Sequence, residues 1–143
     1  MRVPNAESPK SESIPNDEFR MTKGSREVSA GYDLCERTGR FGEEIIRFAK
    51  RVPINPVTHN LISQLVNAGT SIGANYCEAD DAESRKDFRH KIGICRKESK
   101  ETKHWLRMIV AAEPTLSQDA RSLWQEAKEL NLIFGKIRRS TDK

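Results

Sequence analysis

An all-α fold, an antiparallel up-down-up-down four-helix bundle, follows from three features of the sequence. Apolar residues recur at spacings of three and four through four successive segments, the links between segments are short, and nowhere do apolar and polar residues alternate as in a strand. The 143-residue length suits one such domain with a proper core plus a tail. A composition of 36% hydrophobic and 32% charged residues matches a bundle whose outer faces are solvated.

Residues 1–31 precede the first period. They hold Pro4, Pro9 and Pro15, several serines and no apolar periodicity, and their five acidic residues balance five basic ones. Such a stretch buries too little to offset its ordering entropy, so a disordered arm is expected there, with the bundle over residues 32–140.

The first helical period is Leu34, Thr38, Phe41, Ile45, Phe48, Ala49 and Val52, stopped by Pro53. Gly39 and Gly42 weaken it, each costing about 1 kcal/mol in a helix interior. A link with Pro53 and Pro56 turns the chain into a second period, Leu61, Leu65, Ala68, Ile72, Tyr76 and Ala79, which an acidic stretch closes. The third period is Phe88, Ile92, Cys95, Ser99, Thr102, Leu106 and Ile109. Ser84 and Asp87 form a variant capping box at its start, and Pro114 ends it. The fourth is Leu116, Ala120, Leu123, Ala127, Leu130, Phe134 and Ile137, with Ser117 the expected cap.

On a helical wheel the third helix carries Arg85, Arg89, Arg96, Lys100, Lys103 and Arg107 in one narrow sector beside its core stripe. Residues 85–107 hold nine basic residues against three acidic ones, a local net of +6, whereas the whole chain carries only +4. A rod of cations on one face suits a phosphate backbone, and a solvated face is the plainer alternative. On the opposite flank Ile94 and Trp105 lie off the core direction, as subunit contacts do. The second helix has no Asp, Glu, Lys or Arg over residues 60–77. Such a helix is expected to be covered on more than one side. Ile62, Val66, Gly69 and Gly73 on its second flank are therefore expected at an oligomer interface, the glycines allowing close approach.

No set of residues suggests catalysis. Glu101 and His104 form one Glu-x-x-His, but a paired-metal bundle needs two such motifs and two more glutamates, all pointing inward. His59 and His90 lack ligands at metal spacing, and no phosphate loop or nucleophile triad is present. Glu78 is expected to pair with Lys91 or Lys97 rather than to act as a base. No metal, cofactor or catalytic residue is expected. Cys35, Cys77 and Cys95, odd in number and widely spaced, read as reduced core thiols, and with no signal or membrane segment in view the expected compartment is the cytoplasm.

The run Ser71-Ile72-Gly73-Ala74-Asn75-Tyr76-Cys77-Glu78-Ala79 is followed by Ser84, Asp87-Phe88, Lys97-Glu98, Glu101-Thr102 and Trp105-Leu106, and preceded by Asp33-Leu34 and Glu36-Arg37-Thr38. This pattern resembles the bacterial four-helix bundle proteins encoded inside intervening sequences of 23S ribosomal RNA genes, over residues 32–139. The resemblance implies a barrel-like homopentamer with basic surfaces. It also implies relatives that accompany the reverse transcriptase of diversity-generating retroelements and bind RNA or DNA. The long arm departs from the family pattern, and that pattern assigns no contact residue, so the site expectations rest on the helical wheel. The expected function is a non-catalytic oligomer that binds RNA or DNA through its basic helix face. The alternative is an assembly protein that binds protein partners only.

Overall fold

The computed structural model describes residues 30–142, with side chains from residue 34 onward. The arm expected over residues 1–31 lies outside the described residues, except that Ala30 and Gly31 already belong to the first helix. Two compact units divide the chain at Glu36 and Arg37. Residues 30–36 of the first are helical, and the second holds the bundle described below.

Four helices make up the described chain: α1 Ala30–Arg51, α2 Thr58–Asp80, α3 Arg85–Ala112 and α4 Ser117–Ser140. The glycines of α1 do not interrupt it. Gly39 faces open space, while a side chain on Gly42 would meet the Thr70 backbone of α2 at 3.6 Å. The link to α2 is a reciprocal capping box. The Asn55 side chain accepts from the Thr58 backbone N–H at 3.0 Å, and the Thr58 hydroxyl accepts from the Asn55 N–H at 3.0 Å while donating to the Pro53 carbonyl at 2.6 Å. Ser84 caps α3, its hydroxyl accepting from the Asp87 N–H at 3.0 Å. The start of α4 differs from expectation. A single 3-10 turn, Pro114–Leu116, leads into it, and Ser117 is its first residue rather than its cap.

Contacts between helices set the topology. Gly42 of α1 faces Thr70 of α2 and Gly73 of α2 faces Thr38 of α1, Glu78 and Lys91 join the end of α2 to the start of α3, and Asn131 of α4 reaches Arg96 of α3. Arg37 meets Glu126 while Arg51 meets Asp119, so α1 and α4 are also antiparallel. The core is the predicted stripe of each helix, with Ile45, Leu65, Ile72, Ile92, Ile109 and Leu130 fully enclosed. Each such side chain contributes about 1.5–3 kcal/mol by leaving water. Tyr76 and Phe134 meet across the interior at 6.0 Å between ring centroids. Ser99 and Thr102 are buried without cost in hydrogen bonds, because their hydroxyls donate to the carbonyls of Cys95 and Glu98 one turn back.

The glycines of α2 require a correction. Gly69 is buried against Ile45, and a Cβ on Gly73 would stand 3.3 Å from the Thr38 carbonyl oxygen. Both let α1 and α2 of the same chain approach, so the chain's own packing accounts for Gly69 and Gly73 without an oligomer interface. Wheel position alone does not distinguish a flank turned to a neighbouring helix from one turned to another copy.

Candidate nucleic-acid interface

The basic sector of α3 divides between four settings once α4 is in place. Arg96, Lys100 and Lys103 line a groove of ≈ 470 Å³ together with Lys97 of α3 and Asn131 and Arg138 of α4. Arg107 borders a neighbouring apolar groove, considered further below. Arg89 is half-buried and ion-paired with Asp142 beyond the end of α4. Arg85 is exposed at the first turn of α3 and does not line either groove.

Two glycines shape the first groove. Gly93 of α3 gives the Arg138 guanidinium a seat: a Cβ there would come within 3.0 Å of Nη1. Gly135 of α4 does the same more loosely for Arg96, whose Nε would lie 3.5 Å from an added Cβ. The two helices thus exchange arginines over each other's glycines. Asn131 adds a fixed point, its amide donating to the Arg96 backbone carbonyl at 2.8 Å. Arg138 Nε is buried with no hydrogen-bond acceptor among the described residues. No carboxylate lies within ion-pair distance of Arg96, Lys97, Lys100 or Arg138 among those residues. Uncompensated cations that line one groove attract an anion, because their mutual repulsion is relieved when one arrives.

Lysines frame an indole at the far end of the groove. Lys103 Nζ stands 5.2 Å from the Trp124 ring centroid and Lys128 Nζ 5.7 Å. Such cation–π contacts hold long flexible side chains in place without neutralising them. Sequence reasoning placed the site on α3 and missed the contribution of α4, namely Trp124, Lys128, Asn131 and Arg138. The charge count of α3 drew attention there, whereas the α4 cations are spread among acids. The available signal was the pair Gly93 and Gly135, small residues at facing positions of two basic helices.

The remaining expected interface residues, Ile62, Val66, Ile94 and Trp105, are each half-buried. Trp105 Nε1 is enclosed with no partner, and its ring meets His104 edge-on at 4.8 Å. Ser71 and Asn75 take part in local bonding along α2, the Asn75 amide donating to the Ser71 carbonyl at 2.9 Å. Glu78 pairs with Lys91 at 2.5 Å, and that hydrogen bond holds the lysine's pKa above its ordinary value. Burial pushes the Cys95 thiol up to about 12, and it donates to the Ile72 carbonyl at 3.5 Å as a packed neutral group. Among the described residues no cluster of three or more His, Cys, Asp or Glu is placed to hold a metal ion. No helix among them is long and apolar enough to cross a membrane.

The family model for the 23S rRNA-intervening sequence protein matches residues 32–136, and the chain belongs to that family. Among solved structures, it is similar to a protein of unknown function from the S23 ribosomal protein family of Bacteroides thetaiotaomicron. The two are 27% identical, the match covers 76% of this chain and 97% of that one, and the TM-score is 0.66. No curated protein matches the chain.

Proposed function

For this member of the 23S rRNA-intervening sequence protein family, we propose a non-catalytic role: binding RNA or DNA through the groove between α3 and α4. The observation that carries this is the cluster of Arg96, Lys97, Lys100 and Arg138, four cations around one groove with no carboxylate within ion-pair distance among the described residues. Nothing in a protein's interior economy calls for such a cluster, since like charges at close range destabilise the fold they sit on. A polyanion compensates them, and contacts of this kind read backbone rather than base sequence.

The binding form is a homo-oligomer, a pentamer by the family resemblance, with the reverse transcriptase of a retroelement a further partner on the same ground. The half-buried Ile62 and Val66 on the uncharged stretch 60–77 of α2 support self-association, now without the help of Gly69 and Gly73. The test is to compare wild type with Arg96→Glu/Lys100→Glu for binding to structured RNA and duplex DNA at two salt concentrations. Wild-type affinity is expected to fall steeply with salt. The double variant is expected to lose affinity across sequences, with the salt slope flattened by about one unit per lost phosphate contact. Equal affinity for both proteins would remove the reading and favour an assembly protein that binds protein partners only.

A further inference from the structure

We infer that the α3–α4 face takes single-stranded in preference to duplex nucleic acid, seating an unpaired base against Trp124. The inference rests on the nucleic-acid reading above and names its substrate class.

A second groove opens between the same two helices. Its volume is ≈ 240 Å³; its floor is Leu106, Val110 and Ala120, its wall is the half-buried Trp124, and Arg107 and Arg121 border it. Neither arginine has an ion-pair partner among the described residues. An apolar trough with an indole wall and a cationic rim is complementary to a flat aromatic ring attached to a phosphate. An apolar peptide would leave Arg107 and Arg121 uncompensated.

The trough continues the basic groove. Arg96, Lys100, Lys103 and Arg107 follow one flank of α3 at spacings of four, three and four, spanning about 16 Å at the rise of a helix. Lys103 connects the two, lining the first groove and lying over Trp124, which lines the second. A backbone tracked by these cations would bring its bases to Trp124. In a duplex both faces of each base are already stacked and its edges lie within the grooves, so only an unpaired base reaches a recessed indole. Stacking of this kind tolerates any base, because every base has a π-face.

The experiment measures binding of one unstructured RNA oligonucleotide and its duplex, at fixed salt, to the full chain and to Trp124→Leu and Trp124→Phe. Wild type is expected to favour the single strand. Trp124→Leu is expected to lose about tenfold or more for the single strand and clearly less for the duplex, which loses only the anchoring of Lys103, and Trp124→Phe to keep most of the binding. Fluorotryptophan at positions 105 and 124 gives a second readout that needs no variant: the Trp124 resonance should shift on adding the single strand. Equal single-strand affinity of wild type and Trp124→Leu, or an unmoved Trp124 resonance, overturns the inference while the basic groove keeps its role. A change of assembly state in Trp124→Leu also overturns it, assigning the trough to another copy of the chain. Loss of all binding by the wild type defeats the function proposed above, and the inference with it.

Discussion

Gly69 leaves no room for a methyl group in front of Ile45: a Cβ at that position would lie 2.8 Å from Ile45 Cγ2 and 2.9 Å from Cγ1. Ile45 is fully buried and cannot swing aside. Gly69→Ala should therefore destabilise the bundle by about 1–3 kcal/mol, the usual cost of overpacking, less the modest gain of alanine in a helix. Gly39→Ala is the control, since nothing stands within 4 Å of its Cβ position. That variant should gain about 0.5–1 kcal/mol. Urea denaturation measures both, and an equal effect of the two substitutions would show that helix propensity, not the approach of α1 to α2, governs these positions.

Gly93 presents the opposite balance. The atoms an alanine would press on, Arg138 Nη1 and Cζ, are the far end of a flexible side chain rather than a packed core group. Gly93→Ala should keep or slightly raise the melting temperature, by the same helix-propensity gain. It should also weaken RNA binding severalfold, because Arg138 loses its seat in the groove. Thermal melting and a binding titration on one preparation check the pair of effects. Unchanged affinity with a displaced Arg138 would take that arginine out of the interface.

Glu98 supplies a pH dependence. Partial burial raises its carboxyl above the ordinary glutamate value, with Glu101 adding to the rise and Lys97 opposing it. The folded state therefore holds this proton more tightly than the unfolded chain does. The penalty on folding is present at neutral pH and is relieved as pH falls through the raised value towards about 4.3. Glu98→Gln should consequently stabilise the protein at pH 7 and make no difference well below the unfolded value. Denaturation midpoints at the two extremes decide it, and a gain of equal size at both would point to packing instead of titration.

The helices were legible because a buried stripe must repeat at the helical period whatever lies around it. Ile45, Leu65, Ile92 and Leu130 all stand where that period puts them and all are enclosed. Positions at the ends of the stripes were less secure: Leu61, Phe88, Leu116 and Ile137 are only half-buried, since the last turns of a bundle have fewer neighbours. Buried glycines such as Gly42 and Gly135 escaped the periodicity, having no side chain to register in it. The site was half legible. A charge count found Arg96, Lys100 and Lys103, but a groove needs two walls, and no pattern within α3 could name Trp124 or Arg138 on α4.

Arg37 grips Glu126 through two hydrogen bonds of 2.6 and 2.9 Å and reaches Glu129 at 2.9 Å, contacts spanning 89 and 92 positions of the chain. The bond to Glu126 chiefly holds the guanidinium's pKa above its ordinary value. A junction between first and last helices carries a larger loop-closure cost than the hairpins α2–α3 and α3–α4, whose partners are sequence neighbours. It is therefore expected to form after those hairpins, and its half-exposed ion pairs add little to its stability. Amide exchange is accordingly expected to be faster along the exposed side of this seam than at the buried α1 positions Phe41, Ile45 and Phe48. The α3–α4 grooves contain no residue of α1, so opening of that seam would leave their lining residues in place.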